Sequence, residues 1–176
     1  MADSKRLTTL KAITDFLKTE VAVASGYKHD LDGAVFRGKM FYTNNDPLPC
    51  VSILENIDPD RYPREAGGDR AHPVTKEGWV LLVQGWVKDD KENPTDPAYE
   101  LMADVRKALA KLCRRPSTMS AEPENPDYNL GGLIAGMTME PGIARPPIEQ
   151  VSSKAFFWMR VVLKFVEDPN DPYKLD

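Results

Sequence analysis

Two stretches of the chain repeat apolar residues at intervals of three and four, the spacing that places them on one side of a helix. The first stretch, 4–24, is followed by Ser25-Gly26, which is a typical helix stop. The second begins at Thr95 or Asp96 as its N-cap and ends before Pro116. The pattern therefore predicts two amphipathic helices, with basic residues collected near the end of the second, where they suit the helix dipole.

Five other stretches have the alternating or continuous apolar character of strands: 34–42, 48–56, 78–88, 132–140 and 153–167. The first two are joined by the sequence TNNDP, which is typical of a turn, so we expect them to pair as an antiparallel hairpin. The third and the last are apolar on both faces. Strands of that kind are usually central in a sheet and covered on two sides.

The predicted element order is α-β-β-β-α-β-β. Two helices, about five strands and mostly hairpin-like links predict an α+β fold, in which a mixed, mainly antiparallel sheet carries both helices. The length of the chain, 176 residues, suits a single domain, 1–176, with residues 168–176 as a mobile C-terminal tail. Most of the 15 prolines cluster between the predicted elements and mark long, stiff loops.

Composition narrows the classes of partner. The apolar fraction of 41% and the charged fraction of 28% are ordinary for a globular protein, and the net charge of −4 gives no overall attraction for nucleic acid or anionic lipid. We find neither an apolar run of about 18–20 residues nor the apolar core of a signal peptide, so we expect no membrane association and synthesis in the cytoplasm. The two cysteines are expected to be buried, reduced thiols.

Candidate chemistry is sparse. The two histidines, His29 and His72, lie in polar stretches and are expected to be solvated loop residues. Neither the ligand spacing of a metal site nor a glycine-rich phosphate loop is present, so we expect no catalytic residue, no cofactor and no metal. The enzymatic alternative is a small site built from loop residues such as His29, His72 and Arg70.

The second face of the sheet is the feature that points to a function. Two helices cover one face, yet the strands also place apolar residues on the other: Val80, Leu82, Trp86, Phe156, Trp158, Val162 and Val166. An exposed patch of this kind would favour aggregation, so either loops of the same chain or a neighbouring subunit must cover it. Because interface cores are enriched in aromatic residues and arginine, the candidate subunit-interface residues are Trp86, Trp158, Arg160 and Lys164. A monomeric module that binds a ligand on the Trp86/Trp158 face is the competing interpretation.

Several local sequences carry a resemblance to a known family. They are the opening helix RLTTLKAITDFLKTEV, the strand GWVLLVQGWVKDD, the helix PAYELMADVRKALAKL that follows it, and the last strand FFWMRVVLKFVED. In their order and length, from about residue 5 to residue 167, they resemble the tail terminator, or tail completion, proteins of long-tailed bacteriophages. The resemblance implies a mixed sheet flanked by helices, no enzymatic activity, and six subunits closed into a ring.

A ring of this family caps the tail tube, stops its polymerisation and presents a surface to the head-side connector or stopper protein. The resemblance thus implies a protein made in the cytoplasm of the host bacterium and located at the neck end of the virion tail, with the tube protein as a partner. DNA would only pass through the lumen as cargo, and Arg114 and Arg115 are candidate lumen-facing residues; a solvated helix end is the other interpretation of this pair. Another head–tail connector or a tail-tube-like ring protein is the alternative within the virion.

Overall fold

The computed structural model describes residues 2–55, 75–113 and 125–175 of the chain. Those residues form a mixed, mostly antiparallel sheet of six strands and two α-helices, which confirms the predicted α+β class and the order of its elements. The helices are α1 (Lys5–Glu20) and α2 (Asp96–Cys113). The strands are β1 (Val35–Arg37), β2 (Cys50–Glu55), β3 (Thr75–Val87), β4 (Gly136–Met139), β5 (Ile143–Arg145) and β6 (Ala155–Glu167).

Both helices begin where the sequence predicts. Ser4 caps α1, since its hydroxyl accepts a hydrogen bond from the backbone N–H of Leu7. The first turn of α2 is closed by the N–H of Tyr99, which donates to the carbonyl of Thr95. Helix α1 ends earlier than predicted, at Glu20, and a short 3-10 turn at Val23–Ser25 occupies the rest of the predicted stretch.

The sheet is organised around β3 and β6, each 13 residues long. They pair antiparallel along their whole length, from Thr75 opposite Glu167 to Val87 opposite Ala155. The strand order is β1-β2-β3-β6-β4, and β5 also pairs with β6, beyond the end of β4. The short β5 lies between the predicted strands 132–140 and 153–167, where clustered prolines predict a loop and no strand.

The predicted hairpin between the first two strands is wrong, because β1 and β2 are parallel, with Val35 opposite Val51. The chain leaves the sheet at Gly38, which has a positive φ of 71°. Residues 38–49 then form the crossover of about a dozen residues that a parallel pair requires. The turn expected within TNNDP does form, with the N–H of Asp46 donating to the Thr43 carbonyl, but it lies inside this crossover.

The main core lies between the helices and one face of the sheet, here called the helix face. In β6, alternate side chains on this face are fully buried: Phe157, Met159, Val161, Leu163 and Phe165. Helix α2 supplies the opposite layer through an equally buried stripe: Leu101, Val105, Ala108, Leu109 and Leu112. The first turn of α1 covers the far end of this layer, where the guanidinium of Arg6 lies 5.1 Å from the Trp79 ring.

Residues 168–175 follow β6 and lie beside the start of α1. The N–H of Lys5 donates to the Pro172 carbonyl at 2.8 Å, and the Arg6 guanidinium pairs with Glu167 at 3.0 Å. The tail is therefore in contact with the domain at this point, and its predicted mobility stays a prediction.

We expect Gly85→Ala to destabilise the fold. Gly85 is directly opposite the fully buried Phe157, and a Cβ there would overlap the Phe157 ring, whose Cζ lies 3.0 Å from the Cβ position. Overpacking of this kind typically costs about 1–3 kcal/mol. Gly78→Ala in the same strand is the matched control, because its Cβ would make an ordinary contact, 3.5 Å from Val162. Urea unfolding of both variants tests this, and equal stabilities would contradict it.

Candidate interaction groove

The face of β3 and β6 that points away from the helices is here called the outer face. The strand register brings together its side chains in pairs: Trp86 with Phe156, Gln84 with Trp158, Leu82 with Arg160, and Val80 with Val162. Trp86 is only 4% exposed and Phe156 is also buried, whereas Trp158, Arg160 and Val162 are half-buried. The outer face is thus covered at one end and partly open along β6.

The crossover between β1 and β2 provides the cover. The side-chain amide of Gln84 donates to the carbonyls of Lys39 and Met40, at 3.0 and 3.1 Å. The N–H of Lys39 donates in turn to the Ser52 hydroxyl, at 3.1 Å, and Ser52 is fully buried. The same chain therefore covers the outer face over β2 and the adjoining end of β3, which is one of the two kinds of cover that the sequence left open.

The crossover has its own internal support. Asp46 accepts hydrogen bonds from both the N–H and the hydroxyl of Thr43, at 2.7 and 2.8 Å, and pairs with the ammonium group of Lys39. The Lys39 hydrogen bond, helped by Thr43, lowers the pKa of Asp46. Phe41 lies within this supported loop, yet its side chain is 68% exposed. A large aromatic side chain is thus presented to solvent by an ordered segment.

A tight turn at 148–152 lies on the other side of the open area. The N–H groups of Val151 and Ser152 both donate to the Ile148 carbonyl, at 3.0 Å, and Gln150 adopts a left-handed φ of 67°. The Ser152 hydroxyl accepts from the N–H of Lys154 and donates to its carbonyl, which ties the turn to the start of β6. Val151 is 59% exposed at the tip of the turn.

Between the crossover and this turn lies a groove of about 710 Å³, here called the outer groove. Its floor consists of side chains of the outer face, and its rims are the two loops: Met40, Phe41, Leu82, Gln84, Trp86, Gln150, Val151, Ser152, Phe156, Trp158 and Arg160. The rings of Phe156 and Trp158 stack in the floor, with centroids 5.6 Å apart. Arg160 pairs with Glu140 at 3.6 Å. The lining is mostly apolar, with a few amides, a hydroxyl and a cation.

The outer groove brings together three of the four predicted interface residues. Trp86, Trp158 and Arg160 line it, although Trp86 is so deeply buried that it belongs to the core of the subunit. Lys164 lies farther along β6, opposite Gly136, and is exposed to solvent. The rim residues were not predicted, because Phe41 falls within the predicted strand 34–42 and Val151 lies just before the predicted strand 153–167, outside every predicted element.

His29 is not the solvated loop residue that the sequence suggests. Its Nδ1 lies 2.8 Å from a carboxylate oxygen of Asp104, and the same oxygen accepts hydrogen bonds from the N–H groups of Lys28 and His29. Asp104 is only 7% exposed. An aspartate that orients a histidine is also found in catalytic triads, but here the carboxylate fastens the loop after α1 to helix α2.

A second polar cluster joins the two helices. Glu20 of α1 accepts hydrogen bonds from the Tyr27 hydroxyl, at 2.5 Å, and from the Lys111 ammonium of α2. Burial alone would raise the pKa of Glu20, but these hydrogen bonds outweigh it and hold the pKa below its ordinary value of 4.5. For Tyr27, burial and the contact with Glu20 both raise the pKa. Glu20 is therefore kept ionised and Tyr27 protonated near neutral pH.

The cysteines have the character of structural thiols. Cys50 is fully buried in β2, and burial raises the pKa of its thiol to about 12. Burial also raises the pKa of Cys113, whose sulfur contacts the Met137 carbonyl at 3.5 Å. Since the thiolate is the reactive form, neither cysteine is poised as a nucleophile.

Four candidate site residues from the sequence analysis lie outside the described ranges: Arg70, His72, Arg114 and Arg115. Within residues 2–55, 75–113 and 125–175, no group of three His, Cys, Asp or Glu side chains is placed to hold a metal ion. No helix in these ranges is long and apolar enough to cross a membrane.

We expect Asp104→Ala to lower the free energy of unfolding by about 2–3 kcal/mol, because three part-buried hydrogen bonds lose their common acceptor, the buried Asp104 carboxylate. Asp90→Ala is the matched control. Asp90 also accepts two backbone hydrogen bonds, from Glu92 and Asn93, but it is exposed. In Asp90→Ala, water can therefore take over as the acceptor, and the loss in the free energy of unfolding should be smaller than for Asp104→Ala. Urea unfolding separates the two, and equal losses would show that burial of Asp104 is not what matters.

The Glu20 cluster predicts a dependence of stability on pH. The pKa of Glu20 is lower in the folded chain than in the unfolded chain, so the unfolded chain takes up a proton at this residue more readily. The contribution of Glu20 to the free energy of unfolding is therefore complete above pH 4.5 and is lost as the pH falls through the folded pKa. We expect Glu20→Gln to be less stable than the parent at pH 7, by an amount that shrinks as the pH is lowered towards 3. Thermal unfolding across this range tests it; a difference independent of pH would refute it.

Known protein families do not identify the chain. No family model matches it, and no curated protein matches its sequence.

Proposed function

We propose that the chain is a structural subunit that assembles with copies of itself into a closed ring, and that this ring is a phage tail terminator. In this role, six subunits cap the tail tube, stop its polymerisation and present the surface to which the head-side connector binds. The role involves no catalytic step. The observation that carries the proposal is the outer groove, an apolar surface with exposed aromatic and aliphatic rims.

The composition of the outer groove is that of an interface core. Binding energy at interfaces is concentrated in aromatic and arginine side chains that enter or line well-packed pockets. The floor offers stacked rings in Phe156 and Trp158, with Arg160 beside them. Exposed Met40, Phe41 and Val151 surround the floor and would lose contact with water when a partner binds.

Hydrogen bonds within the subunit support both rims. The crossover is held by Gln84 and by the Asp46 hydrogen bonds, and the opposite turn is closed on Ile148. Since ordering of loops is a principal cost of association, a groove supported in this way favours binding. The kind of ring is supported by the resemblance of the long elements to tail terminators, and the other ring proteins of the head–tail region share the same assembly principle.

A monomeric ligand-binding module is the second candidate, and the size of the outer groove favours it. A volume of about 710 Å³ falls within the range of roughly 300–1,000 Å³ that is typical of small-molecule sites. The two candidates differ in the mass of the particle in solution. A ring has several times the mass of the chain, whereas a ligand-binding module stays a monomer at every concentration.

The first test is whether the chain assembles through the outer groove. We expect Val151→Asp to shift the protein from rings to monomers while the subunit remains folded, because it places a charge on an exposed apolar rim. Val23→Asp is the matched control, since both valines are 59% exposed and Val23 does not line the groove. Light scattering coupled to size exclusion gives the masses, and circular dichroism reports folding. Rings that survive Val151→Asp, or a parent chain that is monomeric throughout, would refute the proposal.

A separate experiment, on the growth of the tail tube, tests the terminator role. Addition of the purified ring to a polymerising tail-tube protein from the same genome should stop tube growth, and electron microscopy should show one ring at the tube end. Tubes that grow to the same length with and without the ring would leave the chain as another ring protein of the head–tail region.

A further inference from the structure

The residues after β6 carry a second exposed apolar surface. Tyr173 is 56% exposed and Leu175 is also exposed, with Lys174 between them. The turns that precede them are held locally, since the N–H of Asp171 donates to the Asp168 carbonyl and that of Lys174 to the Asp171 carbonyl. This stretch, 168–175, is here called the tail segment.

The tail segment is fastened at the end of the sheet that lies farthest from the outer groove. Glu167, the last residue of β6, pairs with Arg6, and the Pro172 carbonyl accepts from the N–H of Lys5. Arg160, the groove residue of β6 nearest to that end, lies seven positions earlier in the same strand. At about 3.3 Å per residue, Arg160 and Glu167 are roughly 23 Å apart.

A tail segment fastened at Pro172 cannot fill the groove of its own subunit. Residues 173–175 extend at most about 10 Å beyond Pro172. That reach is less than half of the separation along β6 between Glu167 and the nearest groove residue, Arg160. One chain thus carries an apolar groove and an exposed apolar segment that are unable to meet within it, which is the arrangement needed for contact between successive copies.

We propose that Tyr173 and Leu175 of one copy occupy the outer groove of the next. The inference rests on the proposed ring and specifies how its subunits join. The aromatic ring of Tyr173 suits the stacked Phe156 and Trp158, and a tyrosine brings a large contact area at a low cost in conformational entropy.

Charge favours the same pairing. Arg160, which also pairs with Glu140 at 3.6 Å, is the one charged residue among the described residues that line the outer groove. The tail segment carries two acids, Asp168 and Asp171, against one cation, Lys174, and so has a net charge of −1. Complementary charges of this kind steer association and select the partner more than they add affinity. The contact is head-to-tail, so each copy uses both of its surfaces and the assembly closes into a ring when the rotation per subunit allows it.

The decisive assembly experiment pairs two variants that each lack one surface. We expect Tyr173→Asp to weaken assembly roughly tenfold or more, as loss of an interface anchor does. Tyr99→Asp is the matched control, because Tyr99 is 53% exposed but lies on α2 and does not line the outer groove. A mixture of Tyr173→Asp with Val151→Asp should form one-to-one complexes and grow no further, since the two variants share a single intact pair of surfaces.

A peptide provides the direct readout. A fluorescent peptide of residues 167–176 should bind the Tyr173→Asp protein, whose groove is intact and vacated, and should bind at least about tenfold more weakly once Val151→Asp is added. The same peptide with aspartate in place of tyrosine is the control. Salt should weaken binding, because acidic residues of the peptide act with Arg160.

The outcomes separate this inference from the proposed ring. If Tyr173→Asp assembles like the parent while Val151→Asp does not, another surface fills the groove; the ring stands and the tail-segment contact is overturned. If the peptide binds the intact groove no better than the aspartate control does, the contact is likewise overturned. If the parent is a monomer at every concentration and binds no peptide, both proposals fail.

Discussion

The long antiparallel pairing of β3 with β6 is the constraint on which the rest of the structure depends. Two strands of 13 residues, paired over their whole length, fix which side chains lie on each face. One set, including Phe157 and Leu163, is buried beneath the helices, and its close packing leaves no room for a side chain at Gly85. Neither helix of the described residues covers the other set. Because a strand alternates with a strict period of two, a one-residue slip would exchange the two sets, so the packing on the helix face also determines the outer groove.

The cover of the outer face follows from the parallel direction of β1 and β2. Antiparallel strands can be joined by a two-residue turn, and such a link would leave the outer face open along its whole width. The parallel arrangement instead needs a long crossover, and residues 38–49 cross the sheet and bind Gln84 through two backbone carbonyls. The parallel pairing of β1 with β2 thus accounts both for the cover over this part of the sheet and for the first rim of the outer groove. Among the described residues, the crossover and the turn at 148–152 leave the outer groove between them.

The sequence predicts the long elements and the two-faced strands well, because their apolar periods are strong and local. It does not predict the direction of β1, since the TNNDP turn is compatible with either a hairpin or a turn inside a crossover. The three-residue β5 has too little pattern to stand out among prolines. His29 is misjudged for another reason: its burial depends on Asp104, which lies 75 positions away in the sequence. The groove floor was predictable from strand parity, whereas Phe41 and Val151 are placed by loop hydrogen bonds that have no periodic signal.

In the proposed assembly, β6 determines how one subunit is oriented relative to the next. The outer groove lies over one end of this strand and the tail segment follows the other, so the two contact surfaces are separated by a fixed length of paired sheet. A flexible linker between them would allow many angles and therefore open chains of variable length. A twisted sheet fixes both the distance and the rotation between the surfaces, because each strand pair is held by backbone hydrogen bonds along its length. A constant rotation per subunit is the condition for closing a ring of defined number. The rigidity of the β3–β6 pair is thus the physical link between the fold of one chain and the symmetry proposed for several.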